Sequence, residues 1–178
     1  MTISLFAGRV LYNTTRAGTV GRERMRFEWR RFEDFSAGGL YALLAFRQDV
    51  FIVEQDSPYR DLDFLDQAAE HLLAWSEEGA LAGYARCLGP RPGVPHASFG
   101  RVVVGAAARR SGLGRELVTR AIEHLREAHP GADIVIGAQA HLEGFYGSFG
   151  FVSEGEVYDD GGIPHHHMRF SAQKAAVR

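Results

Sequence analysis

The stretch from Val102 to Ala128 limits the fold more than any other part of this chain. Val102-Val103-Val104 is a β-branched run that fits a central strand. It leads into the loop Arg109-Arg110-Ser111-Gly112-Leu113-Gly114. The loop opens a helix with one apolar stripe: Leu113, Leu117, Val118, Ala121, Ile122 and Leu125. His129-Pro130-Gly131 stops that helix. The first N–H groups of a helix lack partners within it and the dipole is positive there, so this end is an anion site. Gly112 and Gly114 let phosphate oxygens approach the backbone, and Arg109, Arg110 and Arg115 add positive charge. These residues point to phosphate or pyrophosphate. The competing reading of this motif alone is a structural turn with solvated arginines.

The flanking elements support an α/β domain. Phe27 to Phe32 reads as a first strand. Leu40, Leu43, Leu44 and Val50 recur at near-helical spacing to about Phe51, after Ser36-Ala37-Gly38-Gly39. His71–Trp75 and Leu81–Leu88 are two strands across a Glu77-Glu78-Gly79 turn. Ile134 to Ile136 is a buried strand and Leu142 to Phe149 a short helix. Phe151–Tyr158 and Ile163–Phe170 pair across Asp159-Asp160-Gly161-Gly162. Strand pairs followed by strand–helix–strand imply a mixed sheet with helices on its faces. The domain is expected over 25–178. Residues 1–24, rich in Thr, Gly and Arg without periodicity, read as an N-terminal extension that need not be ordered.

Charge and cysteine usage narrow the partners. The formal net charge is −2, so no basic field calls for nucleic acid. No apolar run approaches the ~18 residues of a membrane helix. Cys87 is the one cysteine, which excludes an intrachain disulfide, fits a cytoplasmic setting and reads as a buried small hydrophobe.

Two familiar kinds of phosphate loop do not fit. A nucleoside-triphosphate loop needs Gly-Lys-Ser/Thr, which is absent. A dinucleotide loop needs a third glycine where Leu117 stands. The pattern present, R-x-x-G-x-G, resembles the acetyl-CoA pyrophosphate loop of the GNAT superfamily of N-acyltransferases. Phe145-Tyr146-Gly147-Ser148-Phe149-Gly150-Phe151 resembles that superfamily's Tyr-x-x-x-Gly-Phe segment. Further segments look like the ElaA-like family: Phe46 to Gln55, Pro58 to Asp63 with His71, Gly137 to Leu142, and Val157 to His165. The similarity spans about Met25 to Phe170.

The resemblance implies a GNAT fold: a central mixed, mostly antiparallel twisted sheet of six to seven strands with helices on both faces. It implies acetyl-CoA as donor and an amine, small-molecule or peptide, as acceptor, with no metal. The backbone of Val102, Val103 and Val104 would meet the pantetheine arm, a bulge would splay this strand from the one near Ile136, and one N–H would stabilise the oxyanion. Arg109, Arg110, Ser111, Gly112, Leu113, Gly114 and Arg115 would hold the pyrophosphate, with Gln139 and Phe149 also against the cofactor. Tyr146, protonated below a pKa of about 10, would protonate the departing thiolate. Glu54 is the first candidate for the base, with His71 and His141 as alternatives because histidine titrates near pH ~6.5.

Other features leave alternatives open. Asp61 and Asp63, with Asp56 and Asp66, would attract a cationic amine or form a solvated loop. In His165-His166-His167, alternation puts only the first and third on one face, a weak metal pattern. Two further functions compete: an acyltransferase with another donor, similar to acyl-homoserine-lactone synthases, and a CoA-binding module without turnover. A strand edge near the C-terminus leaves room for a homodimer.

Overall fold

The computed structural model describes residues 24–172. The segment 1–24 therefore lies, except for Arg24, outside the described residues. The chain runs β1 (Arg26–Arg31), α1 (Ala37–Gln48), β2 (Glu70–Trp75), β3 (Leu81–Leu88), β4 (Ser98–Val104), α2 (Leu113–Ala128), β5 (Ile134–Gln139), α3 (Glu143–Gly147), β6 (Val152–Asp160) and β7 (Ile163–Phe170).

The strands form two antiparallel sheets, ordered β1-β2-β3-β4 and β5-β7-β6. They meet at one parallel bridge between Ala97 and Ile134. There the Ala97 N–H donates to the Asp133 carbonyl and the Val135 N–H to the Ala97 carbonyl, both at 2.9 Å. Past this bridge β4 and β5 run side by side without a ladder.

Helices cover both faces. The apolar stripe of α2 is buried throughout. It packs on Leu72, Ala74 and Ala85 of the first sheet and on Ile134 and Ile136 of the second, so one helix holds the two sheets together. Leu43 of α1 packs against Leu73, Tyr84 and Val103 on the opposite face. Register explains this division: Leu72 faces Ala85 while Leu73 faces Tyr84, so β2 and β3 serve two cores with alternate residues.

Two elements depart from the expected pattern. The first helix, capped by Ser36 Oγ on the Gly39 N–H at 3.1 Å, does not run as α-helix to Phe51. It widens into a π-helical turn over Asp49–Glu54, where the Gln55 N–H reaches back to the Val50 carbonyl. That extra residue per turn leaves Val53 exposed and puts Phe51 in the wall of a cleft. The last hairpin is tighter than expected: its turn is Gly161-Gly162 alone, with φ of 64° and 84°. These left-handed values match a two-residue primed turn, which glycine adopts at no steric cost. Among the described residues no helix is long and apolar enough to cross a membrane.

Candidate active site

The site begins with a flaw in a strand. Tyr84 pairs with Val103 and Arg86 with Gly100, so Arg101 and Val102 share the place opposite Ala85. Arg101 has φ of 51°, left-handed for a long side chain. This is a β-bulge, and a bulge bends its strand. β4 thus turns away from β5 beyond the Ala97 bridge. A cleft of about 390 Å³ opens between Phe99–Val102 on one side and Val135–Gln139 on the other. Phe51, Gln55 and Tyr59 wall it from the α1 side, and Tyr146 from α3.

The C-terminal end of β4 leads to the anion site. Gly105 and a 3₁₀ turn at Ala106–Ala108 precede Arg109. Arg110 at φ 64° and Gly112 at φ 92° then swing the chain into α2. Ser111 Oγ donates to the Ala108 carbonyl at 2.7 Å and accepts from the Leu113 N–H at 3.3 Å, which fixes the loop. Among the described residues the N–H groups of Gly112, Gly114 and Arg115 have no acceptor. A Cβ at Gly112 would meet nothing within 4 Å, so the space in front of the loop is open. Leu113 and Val103 bury their side chains and can offer only backbone.

The arginines of this loop divide their work. Arg109 turns back: its Nε donates to the Val104 carbonyl at 3.2 Å and its Nη2 to Glu54 Oε2 at 2.6 Å. Arg115 donates to Ser148 Oγ at 2.8 Å and lies 4.5 Å over the Phe149 ring, tying α2 to the end of α3. Arg110 has no ion pair or hydrogen bond among the described residues.

Tyr146 is 9% exposed and packed among Phe145, Phe99 and Phe151. Burial pushes its pKa up to about 12. Its hydroxyl makes no hydrogen bond among the described residues. Gln139 lines the cleft with its Nε2 3.4 Å from Gln55 Oε1. His141 follows in the turn Ala140–Leu142 and is exposed, outside the cleft lining. Glu54 is exposed beside the loop that precedes α2, and the hydrogen bond from Arg109 holds its carboxyl below the usual range.

His71 sits elsewhere, fully buried behind the cleft. Its Nε2 donates to the Asp66 carbonyl at 3.0 Å, which leaves Nδ1 to accept from the Tyr84 hydroxyl at 2.7 Å. Burial lowers its pKa, so the ring is neutral with both nitrogens engaged. Asp61 and Asp63 are not part of a solvated loop. With Asp66 they form a cluster with three arginines. Arg47, 0% exposed, pairs with Asp61 and Asp66 at 2.9 and 2.7 Å. Arg86 pairs with Asp63 and Asp66 at 2.6 and 3.1 Å. Arg101 Nε lies 2.7 Å from Asp61 Oδ1, close but not aligned for a hydrogen bond. Burial alone would raise the Asp63 carboxyl, but Arg86 outweighs it and holds the pKa at about 2.

The sequence reading did not single out Arg86, Arg91 or Arg101, all of which line the cleft. Arg86 had a signal, a charge amid an apolar strand. His165 also lines the cleft, while His167 stacks on Tyr158 at 4.4 Å. Among the described residues no group of three or more His, Cys, Asp or Glu could hold a metal ion. Cys87 is 1% exposed, and burial raises its thiol far above the ordinary range.

Comparison with known proteins gives a consistent answer. A family model described as an acetyltransferase (GNAT) domain matches residues 34–172. A UPF0039 protein of Synechocystis sp. is 42% identical over 146 residues, covering 82% of this chain and 95% of that one. The crystal structure of an acyl-CoA N-acyltransferase from Pseudomonas aeruginosa is similar, with a TM-score of 0.78 and 39% identity, covering 83% of this chain and 100% of that one. Escherichia coli ElaA matches with a TM-score of 0.76 and 36% identity, over 82% of this chain and 99% of that one. The splayed strands, the open helix N-terminus and these matches agree: the chain belongs to the GNAT acetyltransferase family, in its ElaA-like group.

Proposed function

We propose that this acyltransferase moves an acetyl group from acetyl-CoA to an amine by direct attack, with Tyr146 giving its proton to the departing thiolate. One observation carries the reading: Tyr146 stands in the wall of the gap between β4 and β5, and Arg115 ties the N-terminus of α2 to Ser148, two residues beyond Tyr146. The free N–H groups of Gly112, Gly114 and Arg115, with the Arg110 guanidinium, would hold the pyrophosphate. The backbone of Val102, Val103 and Val104 would bind the pantetheine amides as a neighbouring strand would. Gln139 and Phe149 would flank the cofactor.

Glu54 is the favoured base. It is clamped by Arg109 in the free protein. A pyrophosphate that draws Arg109 away would free the carboxylate and raise its basicity toward an ordinary glutamate. His71 is the weaker alternative because both its ring nitrogens are engaged. Asp61 and Asp63 would act on the acceptor indirectly, by fixing Arg101 and Arg86 in the wall.

Calorimetric titration of acetyl-CoA and CoA tests the donor. Micromolar binding that weakens tenfold or more in Arg110→Ala supports the assignment, and absence of binding removes it. Tyr146→Phe then tests the acid. The expected result is a kcat lower by about 100-fold or more with acetyl-CoA binding unchanged, whereas an unaltered kcat would transfer the role to water.

A further inference from the structure

The charges around the cleft nearly all answer one another. Arg47, Arg86 and Arg101 face Asp61, Asp63 and Asp66, three against three in one cluster. Arg91 stands outside it. Its backbone is locked in a short turn, with its N–H on the Val94 carbonyl at 2.9 Å and the Val94 N–H on its own carbonyl at 2.8 Å. That turn sets its side chain in the cleft wall, beside Leu88 and Ser98 at the end where β4 and β5 are still joined. Its Nη1 is buried with no acceptor, and its guanidinium has no ion pair among the described residues. Asp133 and Glu154, the acids that influence the neighbouring His96, are both held by Arg169 at 3.0 and 2.6 Å.

A guanidinium cannot shed its charge by losing a proton. A buried donor without a partner is a standing cost, and its complement is an acceptor that arrives with a ligand. The planar group that fits guanidinium best is a carboxylate, through two parallel hydrogen bonds. From Ser98 at the closed end to Val102 at the bulge is four residue steps, about 13 Å of strand. A cleft of about 390 Å³ with that reach takes an amino-acid-sized molecule lengthwise. With Arg86 and Arg101 already answered by aspartates, a second positive charge at the closed end would meet the unpaired Arg91, whereas Asp160 is the carboxylate in the lining that Arg86 and Arg101 leave unpaired.

We propose that the acceptor is an amine that also bears a carboxylate, of the free amino acid or short peptide class, and that Arg91 binds this carboxylate while the amine points toward Tyr146. The proposal rests on the acyltransferase reading, and its test is read separately from it. Matched acceptor pairs that differ by one carboxylate are titrated into the protein, both free and saturated with CoA: L-lysine against 1,5-diaminopentane, L-arginine against agmatine, and L-phenylalanine against 2-phenylethylamine. In at least one pair the carboxylated member should bind at least tenfold tighter. Arg91→Gln should abolish that difference, Arg91→Lys should restore part of it, and CoA affinity should stay the same in both variants. No binding by any carboxylated member, equal binding within every pair, or a preference that survives Arg91→Gln would overturn the proposal. Loss of CoA binding in the wild-type protein would instead strike the acyltransferase reading, while the pairs in the free protein would still report on Arg91.

Discussion

At the scale of single residues, the proposed reaction rests on Tyr146 and Gly112. A hydroxyl held at a pKa of about 12 keeps its proton across the working range. The pH–rate profile should therefore show no alkaline loss from Tyr146 below about pH 11, whatever limb the base contributes on the acid side. A fall in kcat through pH 9 to 10 that disappears in Tyr146→Phe would contradict this. At Gly112 the cost of a side chain lies in the backbone, because φ is 92° and a Cβ would clash with nothing. Gly112→Ala should cost about 1–2 kcal/mol of stability. It should also weaken CoA binding more than that figure explains, since the methyl group stands where phosphate oxygens would approach. Denaturant titration and calorimetry on the same variant separate the two effects.

At the scale of elements, the turn of chain between α1 and β2 is the part that side chains hold in place. Arg47 reaches from α1 to Asp61 and Asp66, and Arg86 and Arg101 reach to the same loop from β3 and β4. Breaking a buried pair by removing one partner is far more costly than never having built it. Arg47→Ala should therefore destabilise by about 3–5 kcal/mol, read from urea unfolding, whereas a surface change such as Arg31→Ala should be nearly neutral. This cluster also marks how much the sequence disclosed. Regular elements were readable because their periods are local: the stripe of α2, the valine run of β4 and the final hairpin all carry their own pattern. The cluster was not readable. Asp61 finds Arg47 14 positions away and Arg101 40 positions away, and nothing near the aspartates in sequence names a partner. The loop consequently read as a lure for a cationic amine or as solvated acid. The Gly-rich loop before α2 and the segment carrying Tyr146 were readable as motifs, while Arg91 sits in a Gly-Pro loop that gives no hint of facing a cleft.

Across the whole molecule, the same carboxylates tie stability to acidity. The Asp63 pKa is depressed to about 2 and that of Asp66 is also lowered. A depressed carboxyl stabilises the fold above its unfolded pKa, and the stabilisation is lost as pH falls through the folded value. Asp63 alone, partly screened by solvent, should contribute on the order of 1 kcal/mol at neutral pH. The loss should run from about pH 4 down to pH 2, seen as a falling urea midpoint, and Asp63→Asn should flatten that decline. The two sheets, meanwhile, share one bridge at Ala97 and Ile134, with α2 laid across both. A β-sheet that stops being a sheet halfway along a pair of strands leaves amides facing a gap. In deuterated solvent those amides of β4 and β5 should exchange rapidly in the free protein, although they lie near the middle of the molecule. A donor lying in the gap would act as the absent strand and silence them, so the slowest-exchanging amides should redistribute toward the centre as the ligand binds.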